Sequence, residues 1–138
     1  MSRLTRRFVG LTTILVLCSA ALPASAAPKS ACQVLPASQA QRILGFRLKA
    51  VSSKTTGNVP GTTGTQCDYI GEQGAARVLL VTAASPAAAV AAMQKMGAAG
   101  YPSWAMAQKG ASFLAAGAGD PPNRKTIKQL LAVGLKSL

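Results

Sequence analysis

The sequence predicts an α+β domain: an antiparallel sheet packed by helices, in the order α-β-β-β-α-β-β-α. Three observations carry this. Two pairs of apolar runs are joined by short glycine-bearing turns, Gly71-Glu72-Gln73-Gly74 and Lys109-Gly110, which reads as two β-hairpins. The first hairpin is followed by a helix start, Ser85-Pro86, and the second by a chain break, Asp120-Pro121-Pro122-Asn123, ahead of the last helix. The last segment, 124–138, places Ile127, Leu130, Leu131, Leu135 and Leu138 on one helical face and Arg124, Lys125, Lys128 and Lys136 on the other. Strands that neighbour in sequence pair antiparallel, and helices segregated between hairpins give the α+β class.

The elements follow from the amino terminus. Arg3, Arg6 and Arg7, the apolar run Phe8–Cys18 and the small-x-small triplet Ala24-Ser25-Ala26 have the layout of a secretory signal peptide. Residues 1–26 are therefore read as a signal cleaved after Ala26, and 27–138 as a single small domain that works in the periplasm or as a secreted protein. The apolar run is well short of the roughly 20 residues that span a bilayer, so no membrane span is expected in the mature chain. Leu17 is too bulky for the position before a lipid-modified cysteine, which argues against a lipoprotein anchored through Cys18. Thr5-Arg6-Arg7 leaves twin-arginine export open beside ordinary secretion.

Residues 27–31 read as a loose leader. Leu35–Gly45 reads as a short helix, with Pro36 in its first turn, Gly45 in the left-handed position after its end, and Ala40, Ile43 and Leu44 on one face. Phe46–Ala50 alternates apolar and basic residues, a strand with one wet face. The stretch 52–65 is rich in Ser, Thr, Gly and Pro and reads as a long polar loop. Gln66–Ile70 and Arg77–Ala83 form the first hairpin. Val78-Leu79-Leu80-Val81 is apolar on both faces, the mark of a central buried strand. Ser85 caps a helix from Pro86 to about Gly97, buried along Val90, Met93 and Met96 or Gly97. Ser103–Gln108 and Ala111–Ala116 form the second hairpin, and Arg124–Leu138 the last helix.

Once Cys18 has left with the signal, Cys32 and Cys67 remain, an even pair in an oxidising compartment, and are expected to form one disulfide. A chain with no histidine and three acidic residues, Asp68, Glu72 and Asp120, lacks the ligands for a metal site. The same inventory removes the commonest general base and every Ser-His-Asp or Cys-His arrangement. Gly57–Gly64 lacks the Lys-Ser/Thr ending of a phosphate loop. The chain is read as non-enzymatic and without cofactor; Asp68 and Glu72 are assigned to surface charge or to salt bridges with the lysines.

The formal charge of +12 falls to +9 when the three signal arginines leave. Such a balance attracts anionic polymers, lipid headgroups or an acidic protein, and equally serves solubility. The terminal helix could lie on an anionic membrane or supply the domain's own core. Tyr101 and Trp104 mark either a binding spot or half-buried sheet aromatics. With Thr56, Asn58 and Thr62 of the polar stretch they are the candidate binding residues.

Cys32-Gln33-Val34-Leu35, Ala40, Leu44-Gly45 and Cys67-Asp68-Tyr69 together resemble a family of small exported bacterial domains of unknown function. Those open on Cys-x-Leu-Leu, run through a short helix ending Leu-Gly and later show Cys-x-Tyr or Cys-x-Trp. Many are lipoproteins, and the extracellular sensor domain of a mycobacterial serine/threonine kinase is similar in architecture. The resemblance implies a Cys32–Cys67 disulfide, a helix-backed antiparallel sheet and no catalytic residues. The expected function is a binding module, of inhibitor or immunity type, docking on an envelope or secreted protein. The alternative is a basic binder of lipopolysaccharide, anionic lipid or nucleic acid.

Overall fold

The computed structural model describes residues 27–57, 59–99, 104–119 and 123–138. Residues 1–26, on which the expected signal peptide and Cys18 fall, and Asn58, Tyr101, Ser103 and Asp120, lie outside them. The elements are α1 (Ala31–Val34), α2 (Ala37–Leu44), β1 (Leu48–Thr56), β2 (Thr62–Gly71), β3 (Ala75–Ala83), α3 (Pro86–Ala98), β4 (Ala105–Lys109), β5 (Ser112–Ala118) and α4 (Arg124–Ser137). They follow the expected order, with a short helix not expected from the sequence, α1, ahead of the expected first helix, which is α2. The five strands form one antiparallel sheet in the order β1-β2-β3-β5-β4.

β3 lies at the centre, and its alternation builds two cores. Val78 and Leu80 face one way, joining Tyr69, Leu114 and Ala116 beneath α1, α2 and α4; Leu79 and Val81 face the other way, joining Phe113 and Ala115 beneath α3. A strand buried on both faces needs apolar residues at consecutive positions, which is what the run 78–81 supplies. α4 contributes Ile127, Leu130 and Leu131 to the first core, as its periodicity predicted.

Residues 27–31 are not a loose leader throughout. Ser30 caps α1 in a reciprocal box with Gln33, and Ala31 is fully buried. Three ties hold this corner to β2: the Ala31 amide donates to Thr65 Oγ1 at 2.7 Å, the Tyr69 hydroxyl donates to the Leu35 carbonyl, and Cys32 is disulfide-bonded to Cys67. Pro36 sits at the N-cap of α2, one residue outside the first turn, and Gly45 closes the helix at φ 75°.

The polar stretch 52–65 is mostly strand, which corrects the reading of a long loop. β1 runs on to Thr56 and β2 begins at Thr62, with the pairs Ser52↔Asp68 through Thr56↔Gly64 zipped between them. Thr55, Thr56, Thr62, Thr63 and Thr65 are β-branched and suit extended backbone. The glycines that argued for a loop have local jobs. Gly61 turns at φ 76°, and Gly64 leaves room for the Thr56 side chain across the ladder. Val59 at the bend is buried against the α3 core.

Smaller shifts have similar causes. β1 starts at Leu48, because Phe46 stays outside the strand and packs over Gly71. The second hairpin turns at Gly110-Ala111, one residue later than read, with Gly110 at φ 62°. In α3 the buried residues are Ala89, Ala92 and Met96, with Met93 partly covered, while Val90 is 42% exposed. Size had marked Val90 as core, but it lies off the alanine stripe that faces Leu79, Val81 and Phe113.

Candidate binding site

α3 covers only part of its face of the sheet. Cross-strand pairing aligns Ser52, Asp68, Arg77 and Gly117 in one row beyond the helix-covered residues. Trp104 immediately precedes β4, whose first pair is Ala105↔Ala116, so the same register brings it beside Gly117. A Cβ added to Gly117 would lie 2.9 Å from the indole Nε1 and 3.0 Å from Cε2. Glycine here gives the indole its seat. The result is an open groove of about 310 Å³ lined by Asp68, Ile70, Ala75, Arg77, Trp104 and Gly117.

The polar part of the groove neutralises itself. Arg77 Nε donates to Asp68 Oδ1, and Gln66 Nε2 donates to both carboxylate oxygens at 2.9 and 2.8 Å. Burial alone would push the Asp68 carboxyl up. The hydrogen bonds from Arg77 and Gln66, with the charges of Arg77 and Lys54, outweigh it and hold the carboxyl below its ordinary range. Asp68 is thus an engaged anion at neutral pH. Gln66, a buried polar residue, has its amide nitrogen engaged by the same contact. The apolar part is Trp104, which also packs against the α3 core, and Ile70, 47% exposed. At the hairpin tip Lys49 and Glu72 pair at 3.2 Å, both well exposed, an arrangement worth little to stability.

Of the residues singled out from sequence, Trp104 lines the groove. Thr56 lies four positions along β1 from Ser52, about 13 Å at the rise of a strand, and Thr62 starts β2 beside it; neither enters the groove. Ile70, Arg77 and Gly117 were missed. The Asp68–Arg77 pair was legible in principle. A hairpin centred between Glu72 and Gln73 sets residue 68 opposite 77, so Asp68 pairs with an arginine, whereas Glu72 does pair with a lysine.

Among the described residues there is no group of three or more His, Cys, Asp or Glu side chains placed to hold a metal ion. No helix among them is long and apolar enough to cross a membrane, which says nothing of a β-barrel. Compared with protein-family models, with characterised proteins and with solved structures, the chain matches none.

Proposed function

We propose that the chain is a non-enzymatic exported binding module that docks on another envelope or secreted protein through the uncovered part of its sheet. The observation that carries this reading is the groove beyond α3, where a seated tryptophan and an exposed isoleucine flank an internally neutralised ion pair. Protein interfaces draw most of their energy from a few aromatic and arginine anchors in a setting depleted of net charge. Trp104 and Arg77 supply such anchors, and Asp68 spares the partner an unpaired buried cation. The disulfide and the Tyr69 contact make the scaffold behind the groove rigid, so little order is lost on docking.

The test passes envelope extract over the immobilised, disulfide-bonded protein at high salt, alongside Trp104→Ala, Ile70→Asp and Val90→Asp. Val90 is an exposed apolar residue on α3, outside the groove lining. A protein retained by the parent and by Val90→Asp, but lost from both groove variants, supports the reading. Retention indifferent to both groove variants removes the groove from it.

A further inference from the structure

Cations and carboxylates are not distributed alike over this molecule. The carboxylate side chains among the described residues, Asp68 and Glu72, are engaged on the β2–β3 hairpin with Arg77 and Lys49. Among the described residues, the cations of the helical layer on the opposite face of the sheet from α3 have no such carboxylate partner. α4 carries Arg124, Lys125 and Lys128 within its first five residues and no acidic side chain in its first turn. The spacings 124–128 and 125–128 set like charges side by side on the helix surface, which destabilises an isolated helix. The positive end of the helix dipole opposes them as well.

Beside this cluster α2 and α4 enclose a second open groove, of about 620 Å³, lined by Arg42 and Ile43 from α2 and by Lys125, Thr126, Gln129 and Val133 from α4. Arg42 and Lys125 are exposed cations from the two opposing helices. Ile43 and Val133 are partly buried against the core and form the inner lining.

We propose that this groove binds a linear phosphodiester polymer with a short polyol or aliphatic backbone. A guanidinium presents a fork that matches phosphate, and an ammonium adds a point charge from the other side. Thr126 and Gln129 offer neutral hydrogen bonds between them, and the apolar inner lining suits carbon-rich linkers. Two rival occupants fit less well. Nucleic acid is held by aromatic platforms for its bases, and the groove lining contains no aromatic side chain. A bilayer takes up a helix by its apolar face, but the apolar face of α4, Ile127, Leu130 and Leu131, is already buried in the domain core.

The test measures binding of fluorescently labelled poly(glycerol phosphate) by anisotropy over a salt series, with phosphatidylglycerol–phosphatidylcholine vesicles and single-stranded DNA as separate arms. Counterion release from a flexible chain predicts a log–log salt slope of about −0.7 per neutralised phosphate. Engagement of Arg42, Arg124, Lys125 and Lys128 therefore predicts about −3, or several hundred-fold weaker binding for a tenfold rise in salt. Replacing Arg42 and Lys125 by Ala should halve that slope and weaken binding at least tenfold at low salt. The control, Lys54→Ala with Lys95→Ala, removes the same charge from β1 and α3 and should change binding less than twofold. Arg42 lies in the last turn of α2, where a cation complements the helix dipole, so the variant's melting curve is recorded beside the parent's and binding is compared at a temperature where both are fully folded. Equal weakening by the control pair overturns the proposal, because binding then follows net charge alone. Tighter binding of vesicles or DNA than of the polymer overturns it as well. The Trp104→Ala variant should bind polymer normally, which keeps failure here separate from failure of the protein-docking groove.

Discussion

Replacing Gly117 by alanine sets two effects of opposite sign against each other. Gly117 lies inside β5, opposite Arg77, and carries no positive φ. In a strand interior glycine costs about 0.5–1 kcal/mol relative to alanine, so on backbone grounds alone the variant should gain that much. The added Cβ, however, would stand 2.9–3.2 Å from three atoms of the Trp104 indole. The indole is rigid and can yield only by swinging about χ1 and χ2, out of its seat. Overpacking of this kind costs about 1–3 kcal/mol. The clash should win, leaving Gly117→Ala about 1–2 kcal/mol less stable and melting roughly 5–10 °C lower for a domain of this size. The chain has one tryptophan, so intrinsic fluorescence reads Trp104 alone, and its emission should move to the red as the ring is pushed into water. In a Trp104→Ala background the same glycine substitution should become neutral or stabilising, and the double-mutant cycle gives the coupling directly. A Gly117→Ala protein that melts higher than the parent with unchanged emission would refute the seating of the indole, and with it the groove wall.

Three further outcomes follow from the corner that binds α1 to β2 and from the ion pair. Replacing Cys32 and Cys67 by serine opens a link between residues 35 apart in sequence and should cost about 3–4 kcal/mol in the chain-entropy model, read as a lower denaturant midpoint. Tyr69→Phe removes the donor to the Leu35 carbonyl at a fully buried site and should cost about 1–3 kcal/mol; in the parent, burial pushes this phenol far above its ordinary range, so alkaline titration of the native protein should show one tyrosine resistant until unfolding. Asp68 has its folded pKa below the ordinary value of 3.8, so its contribution to stability is full above that value and is lost as pH falls through the folded one. Melting temperatures from pH 6 to pH 2 should therefore fall more steeply for the parent than for Asp68→Asn, with the two curves converging at the acid end.

The fold class was legible because turn chemistry and apolar alternation agree along most of the chain. Where they disagree, tertiary pairing decides. In 52–65 glycine and proline suggested a loop, while the threonines suggested strand, and pairing against residues 64–68 decided for strand. No local rule contains that partner. In α3 size points to Val90 as core, but a stripe of alanines packs closer to the sheet, and closeness outweighs the area of one valine. The groove was hidden by a register. With the second hairpin turning at Lys109-Gly110, Trp104 would stand opposite Ala115, under the helix-covered rows. The observed turn at Gly110-Ala111 moves it two residues along, opposite Gly117 and clear of α3. One residue in a turn thus decides whether the tryptophan is core or groove wall, and composition is silent on that choice.

The excess of positive charge also resolves into parts with different work. Arg77 and Lys49 are neutralised where they stand, by Asp68 and Glu72. Lys29 and Lys109 donate to the carbonyls of Ser137 and Leu135, and Lys136 lies in the same last turn; cations there satisfy orphan acceptors and complement the negative end of the α4 dipole. Their removal should lower stability and leave the other end of the helix as it was. Arg124, Lys125 and Lys128 have the opposite relation to the fold, since they crowd one another at the end where the dipole disfavours them. A charge carried for solubility alone could sit anywhere on the surface at less cost. Cations that stabilise the fold at one end of α4 and strain it at the other make the strained end the place to look for an anionic partner.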